Sequence, residues 1–224
     1  MGSSLLLVTS LAVTAATSAL ATPTAPKTPF FSVIREGPQS QKAIGIHNPL
    51  SEDIALTRLA IGRKFSASKE EIIIQLYDQN IRGSLYDTAP VPSDAVRSNG
   101  GEFFCAGKSF ADDTVDQESR DWWGDYDACQ WIYQALTDFN QDDVLKLYLD
   151  GEVVDVFGDE ADLHTNNVCG VTSATKGGTL VRKQSVERGN TTPLGSFGTN
   201  PENCEWAVFK PDSLIGMYYS TREN

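Results

Sequence analysis

The apolar residues of this chain come in short runs that are rich in β-branched and aromatic side chains. Each run is bounded by Gly, Pro, Asn, Asp or Ser, which is typical of strands separated by turns. Many short strands of this kind predict an all-β sandwich or barrel. One segment, Asp127–Leu136, predicts a short helix instead. The predicted strands are Phe30–Ile34, Ala43–His47, Ile54–Ile61, Ile72–Tyr77 and Glu102–Ala106.

The clearest local pattern is a β-hairpin over residues 144–157. Its turn is Asp150–Gly151, a two-residue connection that demands positive φ and has Gly to supply it. Closure by two residues predicts a regular register that places Lys146 opposite Asp155, so we expect a structural cross-strand ion pair there. The same register gathers one apolar face from Leu145, Leu147, Val154 and Val156.

A long loop insertion is predicted at about residues 80–135. Its centre, residues 108–127, is rich in Asp and Glu, with aromatic residues interleaved. Exposed aromatics stack on sugar faces or anchor protein partners, so the candidate ligand contacts are Trp122, Trp123 and Tyr126. The alternative is that the indoles bury against the sandwich and close the insertion. The acidic residues either bind Ca²⁺ or, as is more common for acids without fixed spacing, form a solvated face.

The N-terminal residues predict a signal peptide over 1–21. The apolar run Leu5–Val13 is followed by Ala19, Leu20 and Ala21, which fit the small-x-small cleavage pattern. The alternative, a membrane anchor, is disfavoured because the run is short and rich in Ala, Thr and Ser. Residues 22–29 form a Pro/Thr-rich spacer. We therefore expect a secreted, extracellular protein without membrane insertion.

Four cysteines agree with an oxidising environment, namely Cys105, Cys129, Cys169 and Cys204. Their number is even, and no C-x-x-C pair suggests a zinc or redox site. Four cysteines allow three connectivities. Proximity in sequence favours the pairs Cys105–Cys129 and Cys169–Cys204, which need the least chain crossing.

Charge and residue usage narrow the functional classes. The net charge is −12, and an acidic surface repels the phosphates of nucleic acids. The chain has two histidines, His47 and His164, and they show no metal-ligand spacing. No nucleophile elbow is present. We therefore predict a protein with no catalytic residues and no cofactor.

One modification motif is present. Asn190, Thr191 and Thr192 form an N-glycosylation sequon just after a predicted strand. The sequon is used only if the host glycosylates secreted proteins, and otherwise Asn190 stays unmodified.

The hairpin segment Phe139–Gly158 resembles a signature stretch of extracellular lamin-tail domains. Two further blocks lie upstream and two follow in the expected order, and the resemblance covers roughly residues 30–215, leaving 216–224 as a C-terminal tail. Gly45 and His47 depart from it, because the family often has Glu and Tyr at these strand positions. The further blocks are Phe31–Gly37, Lys42–Pro49, Gly178–Thr192 and Cys204–Leu214.

The resemblance implies an immunoglobulin-like β-sandwich and a function in targeting or binding. Secreted microbial lamin-tail domains stand alone or accompany extracellular hydrolases, with no established catalytic residues to carry over. We therefore expect a binding, adhesion or extracellular-matrix module with a glycan or protein partner. The alternatives are an extracellular hydrolase, with or without a metal, and a structural coat subunit.

Overall fold

A computed structural model describes residues 25–36, 42–65, 70–76, 95–96, 104–107, 131–132, 139–140, 142–160, 167–192 and 194–209. Within these ranges the chain forms twelve β-strands and one 3-10 turn, Leu56–Arg58. The strands are β1 Phe30–Glu36, β2 Lys42–His47, β3 Ile54–Ala55, β4 Leu59–Lys64, β5 Glu71–Gln75, β6 Ala95–Val96, β7 Phe104–Gly107, β8 Trp131–Ile132, β9 Val144–Leu149, β10 Glu152–Phe157, β11 Thr179–Arg182 and β12 Trp206–Phe209.

The strands form two main sheets. One has six strands in the order β12-β11-β1-β2-β7-β8, and the other has four in the order β10-β9-β4-β5. The short strands β3 and β6 pair with each other. All neighbours are antiparallel except β7 and β8. The predicted all-β sandwich is confirmed.

The core lies between the two sheets, where apolar side chains from both form one cluster. Alternate residues of a strand share a face, so this cluster identifies the inner face of each strand. The inner face of the six-stranded sheet is built from Phe31, Ile34, Ile44, Ile46, Leu180 and Trp206. The four-stranded sheet contributes Leu59, Ile61, Ile74, Leu145, Leu147 and Phe157.

The hairpin has the predicted turn but not the predicted register. Asp150 and Gly151 have φ of 53° and 86°, as the two-residue turn requires. A β-bulge at Val154 then adds one residue to β10, so that Asp155 pairs with Leu147 and Val156 pairs with Lys146. The predicted pair of Lys146 with Asp155 is therefore wrong. A bulge reverses the faces beyond it, and it turns Asp155 towards the core.

Two other predictions about local structure are wrong. Ile54–Ile61 is not one strand, because the 3-10 turn separates β3 from β4. That turn presents the carbonyl of Arg58 to the N–H of Asp150, which ties it to the hairpin at 2.8 Å. In the predicted helix Asp127–Leu136, the described part is β8, which pairs with β7. The region predicted as a loop insertion thus contributes β6, β7 and β8 to the sheets.

Charged side chains cover the outer face of the four-stranded sheet. Lys146 binds Glu71 at 2.9 Å and Glu160 at 2.5 Å, and the hydroxyl of Tyr148 donates to Glu71 at 2.6 Å. Gly62 leaves the space that Glu71 occupies, because a Cβ there would lie 1.9 Å from the Glu71 Oε1 atom. Lys146 therefore pairs with Glu71 and Glu160 on the outer face, and not with Asp155.

Cys169 and Cys204 form a disulfide, with Cα atoms 5.2 Å apart, as proximity in sequence predicts. In the chain-entropy model, closing a loop of this length stabilises the fold by roughly 4 kcal/mol. Cys129 and the side chain of Cys105 lie outside the described residues, so their pairing stays a prediction. The signal peptide over 1–21 and the C-terminal tail over 216–224 also lie outside them.

Candidate functional site

The carboxylate of Asp155 lies between the two sheets and accepts hydrogen bonds from four donors. The N–H of Phe31 donates to Oδ2 at 2.8 Å, and the N–H of Asn190 donates to Oδ1 at 2.7 Å. The guanidinium of Arg182 donates to both oxygens, at 3.1 and 3.3 Å. Burial raises the pKa of Asp155, while the charge of Arg182 and the two N–H donors oppose that rise.

Arg182 ends β11 and is equally buried. Its side chain has 0% exposed surface, and its Cζ atom lies 4.7 Å from the centre of the Trp206 ring. Its second partner is Glu205, whose side chain is 28% exposed. Arg182 therefore links the buried Asp155 to a carboxylate at the protein surface.

Asn190 completes this network. Its side-chain amide donates to Glu205 at 2.9 Å, and its carbonyl accepts the N–H of Val156 at 3.0 Å. The neighbouring Gly189 allows a close approach, because a Cβ there would lie 2.0 Å from the carbonyl oxygen of Val154. The bulge of β10 and the loop at 189–190 are thus fitted to each other.

A groove of about 680 Å³ opens above this network. One wall is the segment before β1, with Ala25, Pro26 and Thr28. The Thr28 hydroxyl accepts a hydrogen bond from the N–H of Gly189 at 3.0 Å. The other wall is the loop 185–192, and Val153 and Val154 of β10 also line the groove. Its volume lies within the range of small-molecule sites, roughly 300–1,000 Å³. The hydroxyl and charged groups that line it come from Ser185, Glu187, Arg188, Thr191, Thr192 and Glu205.

The sequence singled out one residue of this site, Asn190, for a different reason. The atom that would carry a glycan, Nδ2, is the one that donates to Glu205, and Asn190 is half-buried. Arg182 and Glu205 were not anticipated. Their only sequence signal is a charged residue at the end of the apolar strand β11 and another just before Trp206.

Other candidates cannot be placed in the site. Trp122, Trp123 and Tyr126, the acidic residues of 108–127 and His164 lie outside the described residues. His47 is buried and its ring lies 5.0 Å from that of Phe30. Over the described ranges, no three His, Cys, Asp or Glu side chains are grouped so that they could hold a metal ion. The described part of the chain also has no helix long and apolar enough to span a membrane.

Comparison with known proteins found no matching family model, no matching curated protein and no matching solved structure.

Proposed function

We propose that this protein is a secreted, non-catalytic binding module of the lamin-tail type, and that its ligand occupies the groove above Asn190 and Glu205. The observation that carries the proposal is an open groove whose floor, Asn190 and Glu205, is bound from below by the buried pair of Asp155 and Arg182. Asp155 and Arg182 hold that floor from opposite sheets, so the groove is shaped before a ligand arrives. A preformed site loses less entropy on binding.

The lining of the groove favours an extracellular glycan as the ligand. Hydroxyls of Ser185, Thr191 and Thr192 and the carboxylate of Glu187 lie where they can exchange hydrogen bonds with sugar hydroxyls. Val153 and Val154 supply an apolar strip for the C–H face of a sugar ring. A protein partner is the other class proposed, and the experiment below separates the two.

The chemistry of Asp155 supports binding rather than catalysis. Both of its oxygens already accept hydrogen bonds, and the side chain has no exposed surface. A general acid or base needs access to the proton that it transfers. This carboxylate is therefore best explained as a structural group that shapes the groove.

The lamin-tail assignment is supported by the two-sheet sandwich and by the hairpin at the expected place. It further implies immunoglobulin-like strand connections. The Cys169–Cys204 disulfide agrees with secretion. N-terminal sequencing of protein recovered from the medium tests secretion directly, because cleavage after Ala21 leaves Thr22 as the first residue. An uncleaved chain retained in the cell would contradict it.

A glycan array with Thr191→Arg tests the groove. Thr191 is exposed and lines it, so a long charged side chain there obstructs the ligand without disturbing the core. We expect array binding to fall at least tenfold in Thr191→Arg and to persist in the matched surface control Ser51→Arg. Binding that survives Thr191→Arg but disappears in Trp122→Ala/Trp123→Ala would move the site to the insertion. If the module captures a protein and gives no signal on the glycan array, the ligand is a protein and not a glycan.

A further inference from the structure

Lys42 is a buried lysine placed between the two sheets. It begins β2 and is 7% exposed. It lies two residues before Ile44 of the core cluster, so its side chain shares the inner face with Ile44. Its register partner across the ladder is Glu36 of β1. Opposed residues in an antiparallel pair have Cβ atoms about 4.5–5.5 Å apart, so the two side chains start side by side on the same face of the sheet.

The amine of Lys42 contacts the chain segment that leads into the opposite sheet. Nζ donates to the carbonyl of Phe139 and lies 3.1 Å from the side-chain oxygen of Asn140. It also lies 5.5 Å from the centre of the Phe139 ring. Lys42 and Asn140 are separated by 98 residues in sequence, so this contact joins β2 to the segment that precedes β9.

The position of Asn140 is determined by its own turn. The N–H of Asn140 donates to the carboxylate of Asp143 at 2.9 Å, and the N–H of Asp143 donates back to the carbonyl of Asn140 at 2.9 Å. Asp143 is 3% exposed. The backbone that carries the Asn140 carboxamide is thus held in place, while Asn140 itself lies at the surface.

We propose that Lys42 and Asn140 join in an intramolecular isopeptide bond, with Glu36 carrying the proton. Glu36 takes a proton from the Lys42 ammonium, and the free amine attacks Cγ of Asn140. The new Nζ–Cγ bond forms as the Cγ–Nδ2 bond breaks. One proton passes from Nζ through Glu36 to Nδ2, which leaves as ammonia. Ammonia then takes up the second proton and becomes an ammonium ion, so Glu36 ends as the carboxylate.

The atoms and charges of this reaction balance without any co-reactant. An ammonium and a carboxamide become a secondary amide and an ammonium ion, and no electrons are exchanged. Holding the groups together supplies the effective concentration that a bimolecular reaction lacks. The exposure of Asn140 gives ammonia a direct route to solvent, so the reaction does not reverse.

Three features make this cluster unusual among the contacts of the described chain. A lysine amine removed from water loses solvation that favours its charged form. The carboxamide approaches it from the segment that leads into the other sheet, and a carboxylate lies opposite in the ladder. The product would be a covalent link between β2 and that segment which needs no oxidising environment, unlike the disulfide.

Intact mass spectrometry of the reduced, denatured protein is the decisive test. We expect the wild-type mass to be one ammonia below the value calculated from its sequence, and a branched peptide to connect Lys42 to Asn140 after digestion. Lys42→Arg keeps the charge but should show its full calculated mass. A wild-type chain of full mass, with both residues in linear peptides, would overturn the proposal whether or not any variant folds.

The role of Glu36 has its own test. Glu36→Gln keeps the size of the side chain and removes its ability to carry the proton, so we expect the ammonia loss to fall at least tenfold in the folded variant. Glu152→Gln, at an exposed position of β10, is the matched control and should cross-link fully. Complete cross-linking in folded Glu36→Gln would assign the proton transfer to a different group and refute this step.

Discussion

Arg182 donates two hydrogen bonds to Asp155 from the opposite sheet, and neither side chain has exposed surface. Breaking a buried pair by removing one partner leaves the other charge uncompensated, at a cost of about 3–5 kcal/mol. We therefore expect Asp155→Ala to lower the free energy of unfolding by about that amount. Chemical denaturation followed by circular dichroism measures it.

The exposed pair of Arg58 and Asp150 serves as the control for that prediction. Arg58 donates to Asp150 at 2.6 Å, but both side chains are exposed to water, which screens their attraction. Arg58→Gln should leave the denaturation midpoint nearly unchanged. A similar loss of stability in the two variants would show that burial does not set the strength of the Asp155 pair.

Tyr148 should lose its proton at a higher pH than an ordinary tyrosine. Burial raises its pKa to about 12, and its hydrogen bond to Glu71 acts in the same direction. Because the ordinary value is about 10, the protonated phenol contributes stability below that pH. This contribution is lost as the pH rises through the folded pKa. The tyrosinate absorbance curves of wild type and Tyr148→Phe should differ by one phenol with a midpoint near 12.

Two glycines allow a matched comparison of crowding. A Cβ on Gly189 would meet the backbone carbonyl of Val154. A Cβ on Gly62 would meet only side chains, the flexible end of Glu71 and, at 2.9 Å, the edge of the Tyr148 ring. Overpacking against backbone costs about 1–3 kcal/mol or more. We expect Gly189→Ala to be clearly destabilising, at about 3 kcal/mol, and Gly62→Ala to cost about 1 kcal/mol or less.

The same Gly62→Ala variant should also move the titration midpoint of Tyr148 towards its ordinary pKa, because the displaced Glu71 no longer accepts a hydrogen bond from the Tyr148 hydroxyl. Equal stability losses at the two glycines, or an unmoved Tyr148 midpoint, would contradict this description of the outer face.

Leu194 holds a backbone conformation that suits glycine. Its φ is +58°, and its side chain is 38% exposed. Left-handed conformation costs a non-glycine residue about 1–2 kcal/mol, and glycine loses about 0.5–1 kcal/mol through its greater freedom when unfolded. Leu194→Gly should therefore stabilise the fold slightly, by about 0.5 kcal/mol. Leu194→Ala keeps the strain and should bring no gain in a thermal melt.

The sequence pattern was sufficient for most of the longer strands and for the all-β class, because alternation and turn residues are local signals, but it missed the short strands β6 and β8 and the break between β3 and β4. The bulge at Val154 could not be predicted, because the loop that packs against it, at Gly189 and Asn190, lies far along the chain. The same holds for the site. The sequence predicts that Asp155 pairs with Lys146 at the surface, but the bulge turns Asp155 inward. Its actual partner, Arg182, comes close only when the two sheets pack together.

Two of the buried polar contacts among the described residues lie at opposite ends of β1. Near one end, the N–H of Phe31 donates to Asp155, which also binds Arg182. At the other end, Glu36 lies across the ladder from Lys42, whose amine binds the segment 139–140 that precedes β9. Apolar packing between them resists separation of the layers but has little directional preference. Fixed at both ends, the layers cannot slide past one another without breaking a buried polar contact. The sandwich should therefore resist shear of one layer past the other.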